Sequence, residues 1–146
     1  MTELDKAVSQ IIEQYKSAVF ERDTSAFMRL YDPNVRIFDA WDNWSYEGAA
    51  RWQAAVEAWF NPHATERIEV SFEDVQCTGT LDVAMVSAVV TYAGVSAQGD
   101  RLRAMQNRIS WGLRTSEKVL RIVHEHTSVP VGFQDMKAIL QRKAGA

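Results

Sequence analysis

The sequence predicts an α+β domain in which N-terminal helices pack on a strongly curved, mostly antiparallel β-sheet. Three observations carry this expectation. Helical periodicities come first along the chain, four strand-like stretches joined by turn residues follow, and no linker separates the two halves. The 146 residues, 47% of them hydrophobic and 24% charged, suffice for one well-filled core but not comfortably for two. We therefore expect a single domain over residues 1–146, with its core at about 3–130.

From Thr2 to Arg22, the residues Leu4, Val8, Ile11, Ile12, Tyr15 and Val19 recur at helical spacing. Thr2 followed by Asp5 has the pattern of a capping box. The segment RDTS interrupts the periodicity, and Asp23 or Thr24 can cap a short second helix carrying Phe27, Met28 and Leu30. YDPN ends that helix, because a residue before proline disfavours the helical conformation. In VRIFDAW, residues 35–41, Val35, Ile37, Asp39 and Trp41 alternate onto one face, a strand with one acid in an apolar row. A third helix follows Gly48, with Trp52, Val56, Trp59 and Phe60 along one stripe, and NPH ends it.

The strands are expected near 66–77, 82–96, 101–114 and 118–129, with CTGTLD, AQGD and RTSE as their turns. Phe133, Met136, Ile139 and Leu140 suggest a terminal helix at about 133–143. A sheet that curls into a cone around its helices leaves space between the layers, where small-molecule pockets commonly form.

Composition excludes several classes. The net charge of −3, with both signs spread along the chain, argues against nucleic acid as a partner. No run of about 18 apolar residues is present to cross a bilayer. Cys77 is the only cysteine, so no internal disulfide can form, as suits a reducing compartment. MTELDKAVSQII carries acids early and no continuous apolar run, unlike a secretory leader. The expected location is the cytoplasm.

Asp39 is the first candidate for chemistry. A carboxylate between Ile37 and Trp41, facing a closed cavity, would be desolvated and its pKa raised towards the range useful for moving protons. Tyr15 lies on the apolar stripe of the first helix, as a core tyrosine would, and its hydroxyl could serve a ligand oxygen. LRIVHEHTSVP, residues 120–130, holds two of the three histidines. Strict alternation puts Ile122, His124 and His126 on one face and Arg121, Val123, Glu125 and Thr127 on the other, more polar one. The histidines are therefore expected to face inward.

Two histidines alone fall short of the three or four ligands of a metal site. His63 sits in a loop, Cys77 is far along another strand, and neither HExxH nor CxxC occurs. No metal and no cofactor are expected. Two roles stay open for the histidines, proton exchange or hydrogen bonding within the pocket wall, with His126 nearer the open end as the acid partner of Asp39. In AMQNRISWGLR, Asn107 shares a face with Met105, Ile109 and Trp111, which makes Asn107 the inward group and Arg108 the outward one. Trp41, Trp44, Trp59, Asn107, Ile109 and His124 are the expected lining for a ligand, although Trp52 and Trp59 are equally explained as helix packing.

FMRLYDPNVRIFDAWDNWSYEG (27–48) and LRIVHEHTSVP (120–130) resemble the nuclear transport factor 2-like superfamily, particularly its SnoaL-like branch. They are also similar to the association domain of calcium/calmodulin-dependent protein kinase II. The resemblance implies a cone-shaped, cystatin-like fold. It extends to ketosteroid isomerases: the oxyanion-hole tyrosine falls on Tyr15 and the general-base aspartate on Asp39. At the second oxyanion-hole acid this sequence departs from the pattern, with Ile109 in NRISWGL and no carboxylate. The superfamily contains both enzymes and assembly modules, so fold alone does not decide activity.

Two functions follow as expectations. One is an isomerase, cyclase or dehydratase acting on a small hydrophobic carbonyl compound, with Asp39 as base and Tyr15, Asn107 or a histidine holding the oxyanion. The other is a non-catalytic ligand-binding or oligomerisation module. A homodimer is expected in either case, because VAMVSAVVTY is apolar at both parities and one face needs an additional cover.

Overall fold

The computed structural model describes residues 1–143. Helices α1 (Glu3–Glu21), α2 (Thr24–Met28) and α3 (Ala49–Trp59) pack against a sheet of six strands. These are β1 (Tyr31–Phe38), β2 (Tyr46–Glu47), β3 (Arg67–Gly79), β4 (Val83–Val95), β5 (Arg101–Ser116) and β6 (Val119–Ser128). The order across the sheet is β2-β1-β6-β5-β4-β3, antiparallel throughout except for the parallel pair β1–β6. This is the expected α+β architecture.

α1 begins at the anticipated capping box, where the Asp5 amide donates to Thr2 Oγ1 and the Thr2 amide donates to the Asp5 carboxylate. Leu4, Val8, Ile11, Tyr15, Ala18 and Val19 form its buried stripe. Asp23 caps α2 by accepting from the Ala26 amide. The inner face of the sheet supplies the rest of the core, including Val35, Ile37, Val86, Val90, Ile109, Trp111, Leu113 and Ile122.

β1 starts earlier than the sequence suggests and takes in YDPN. Proline is accommodated because the β1–β6 register shifts between Tyr31 and Arg36, which leaves Pro33 outside the regular ladder. Three further irregularities shape the sheet, one of them between β4 and β5 at Gly94 and Val95. β3 breaks register between Glu73 and Gln76, with Asp74 at φ 53°. β5 and β6 break register where Leu113 pairs with Ile122 and Gly112 with His124, so Val123 is an extra residue. Such bulges bend a strand and add twist.

The expected helix at 133–143 is absent. The segment instead makes a turn with Met136 in the left-handed region, closed by a bridge between Val131 and Ala138. Its polar groups are satisfied elsewhere: the Gln106 amide donates to the Leu140 carbonyl, and the Arg142 amide donates to Gln106 Oε1. Phe133 and Met136, which suggested an apolar stripe, are 95% and 77% exposed. The free edge of β5 beyond the end of β6 offers this segment hydrogen bonds, and these replace a helix with no surface to pack on.

Candidate functional site

The extra residue at Val123 decides which side chains of β6 face the helices. Ile122 points inward before it, and Glu125 and Thr127 point inward after it. His124 and His126 consequently lie on the outer face. There both rings pack edge-on against Phe38, at 5.1 and 5.5 Å, and His124 Nδ1 lies 2.8 Å from the Arg36 carbonyl oxygen. The inward placement expected for His124 and His126 is therefore corrected, because alternation counted across a bulge inverts every later residue.

Glu125 takes the place in the interior that strict alternation gave to the histidines. It is 2% exposed, and its Oε1 accepts from the Tyr31 hydroxyl (2.6 Å) and from Trp111 Nε1 (2.9 Å). Among the described residues no cation pairs with it. Burial pushes its pKa up to about 7, the two donors oppose the rise, and the charge of Asp39 adds to it. Sequence reasoning missed this residue. The signal present was Gly112, a glycine inside a strand pattern, which often marks a bulge.

Asp39 follows the last residue of β1 and continues the inward parity of Val35 and Ile37. Its Oδ1 accepts from the Thr127 hydroxyl at 3.0 Å, and that hydroxyl accepts in turn from the Ala40 amide at 2.8 Å. Burial raises the Asp39 pKa, while the Thr127 hydroxyl and the amides of Trp41 and Ala40 counter part of that rise.

Tyr15 is buried between Phe27, Phe72 and Trp111, with ring centroids at 5.0, 5.5 and 5.8 Å. Its hydroxyl lies 2.8 Å from that of Tyr92 on β4, and either can donate. Burial holds both phenols above their ordinary range, and the Glu125 carboxyl adds to both shifts. The charge of Asp39 also acts on Tyr92, whose hydroxyl lies beside the Asn107 amide. Asn107 faces inward as expected, with its Oδ1 enclosed and without a hydrogen-bond partner. Ile109 is core, and Trp59 packs on Tyr92 at 6.0 Å.

Arg108 is exposed and donates to Ser128. Trp41 and Trp44 lie in the loop after β1, 50% and 97% exposed, and do not join the inner wall. The alternating row stops with the strand at Phe38 and the following Asp39, so parity carries no information beyond it. Asp39, Tyr15, Asn107, Ile109 and Trp59 thus share the helix-facing side, and His124, His126, Trp41 and Trp44 do not. Among the described residues, no group of three or more His, Cys, Asp or Glu side chains comes together as metal ligands would.

Comparison with known proteins agrees with this architecture. Residues 8–132 match the family model described as a SnoaL-like domain. An NTF2-like protein of unknown function from Pseudomonas putida superposes with a TM-score of 0.84 at 21% identity, over 98% of each chain. ActVI-ORFA from Streptomyces coelicolor gives 0.77 at 12% identity, over 87% of this chain and 97% of its own. Aln2 from a Streptomyces species gives 0.76 at 16% identity, over 88% and 91%. No curated protein matches the chain. With the family model covering nearly the whole fold, from within α1 to beyond β6, the chain belongs to the SnoaL-like domain family, and its fold is that of the NTF2-like protein it superposes on.

Proposed function

We propose that the chain is a small-molecule pocket protein that moves a proton on a hydrophobic carbonyl compound, as an isomerase, cyclase or dehydratase does. The observation that carries this reading is the unpartnered, enclosed Asn107 Oδ1 beside the Tyr15–Tyr92 hydroxyl pair, on the same inner side as the half-buried Asp39. A buried polar atom without a partner is uncommon, and a ligand donor would satisfy it. In this reading Asp39, deprotonated above its raised pKa, removes a proton next to the ligand carbonyl. The Tyr15 hydroxyl donates to Tyr92, which frees the Tyr92 proton to stabilise the oxyanion. Glu125, neutral below about pH 7, adds a carboxylic acid proton on Oε2, the oxygen that accepts no bond from Tyr31 or Trp111.

The test begins with native mass spectrometry of the purified chain to identify a retained hydrophobic molecule. Exchange of its α-hydrogen for deuterium is then followed by NMR. Asp39→Asn keeps the shape and removes the base, and should slow exchange by roughly a hundredfold or more. Exchange at the wild-type rate in Asp39→Asn leaves the chain a binding protein only.

A second reading, self-association, has its own observation. Val83 and Met85 on the outer face of β4 are 62% and 55% exposed, a pair of large apolar side chains that a second copy would cover in a homodimer.

A further inference from the structure

At the opposite end of β1 from Asp39, a cleft of about 420 Å³ opens between α2, the start of β1, α3 at Gln53 and β6. Arg29 and Arg121 line it together with Ser25, Met28, Tyr31 and Pro33. Among the described residues, neither arginine forms an ion pair. Arg121 Nε is enclosed and has no hydrogen-bond partner. A buried donor of a charged group is normally satisfied, so an acceptor is missing here. Arg114 sits directly opposite Arg121 in the β5–β6 register, and it too lacks an ion pair. Like charges facing each other across a sheet are unfavourable. Among the described residues, no acid forms an ion pair with either of these two arginines.

Apart from Ser25 and Gln53, the rest of the wall is apolar. Tyr31 is buried with its hydroxyl committed to Glu125, so the apolar surface of the cleft comes from Met28 and Pro33. A guanidinium fork matches the two oxygens of a carboxylate. An inorganic phosphate would leave the Met28 and Pro33 side of the wall uncovered, whereas a carboxylate can carry a hydrocarbon part that covers it. We propose that this cleft binds an amphiphilic organic carboxylate, with its head on Arg121 and Arg29 and its apolar part against Met28 and Pro33. The cleft is separate from the interior around Asp39, and its occupancy does not depend on any reaction there.

Calorimetric titration of the full chain with sodium octanoate, and separately with inorganic phosphate, tests the proposal. Octanoate should bind saturably and more tightly than phosphate. Arg121→Gln should weaken it by about tenfold or more, Arg29→Gln by about threefold or more, and Arg121→Lys should weaken it too, since an ammonium cannot form the fork. Octanoate should shift the Met28 methyl signal in NMR and leave the Trp59 indole signal in place. The proposal is overturned by an absence of saturable octanoate binding, by phosphate binding equally well, by unchanged affinity in a folded Arg121→Lys, or by shifts centred on Trp59. Should Arg121→Gln not fold, Arg29→Gln and Arg121→Lys decide the matter.

Discussion

Glu125 is an acid held in the interior by two neutral donors, and this has a consequence for stability. Its pKa is about 7 in the folded chain against 4.5 for an ordinary glutamate, so between those values the folded state keeps a proton that the unfolded state has lost. Its contribution is fully present below about pH 4.5 and disappears as pH rises through about 7, at up to about 1.4 kcal/mol per pH unit. Glu125→Gln, which stays neutral, should flatten that part of the profile. Chemical denaturation of both proteins from pH 5 to 8 measures the difference, and parallel profiles would contradict the assignment. Asp39 also has a raised pKa from burial, so in the proposed reaction the rate should climb as pH rises through that value and fall again above about pH 7, where Glu125 loses its proton. A proton-exchange rate that does not vary with pH from 4 to 7 would remove Asp39 from the base role.

Among the elements, β6 and the β3–β4 hairpin show how local backbone governs the site. Gly79 adopts φ +120°, and an added Cβ would collide with the Val83 carbonyl and lie 2.8 Å from Ala84 Cα. Gly112 faces the bulge, but a Cβ there meets only His124 and Val123 atoms at 3.6 Å and beyond. Gly79→Ala should therefore cost about 1–3 kcal/mol, while Gly112→Ala should stay within about 0.5 kcal/mol of wild type. Thermal melting of the two variants checks the contrast, and equal losses would show that the hairpin turn tolerates a side chain.

For the whole molecule, the outer face of the sheet is unevenly covered. At one end Thr91 and Ala93 are buried beneath Gln106 and the C-terminal segment, with Arg142 reaching Glu73 on β3. At the other end Val83 and Met85 stand exposed. If the proposed homodimer uses that face, Met85→Asp should place a charge in the contact and shift the chain to monomer. Light scattering at micromolar concentration reads this directly, and a wild-type monomer would dispose of the proposal.

Periodicity and turn residues were enough to locate α1, α2, α3 and the four long strands, because amphipathic faces and caps are local properties written in consecutive residues. They also placed Tyr15 and Asn107, each within an unbroken run of its own element, and Asp39, directly after the unbroken run of β1, on the helix-facing side. β2, two residues long, has no period to detect. The C-terminal segment was misread because its hydrogen bonds go to a strand edge that exists only once β5 and β6 have paired. The exchange of His124 and His126 for Glu125 was decided at Val123, where one extra residue reverses the strand's parity. A bulge is a property of two strands in register, so only the tertiary structure could settle which side chains reach the interior.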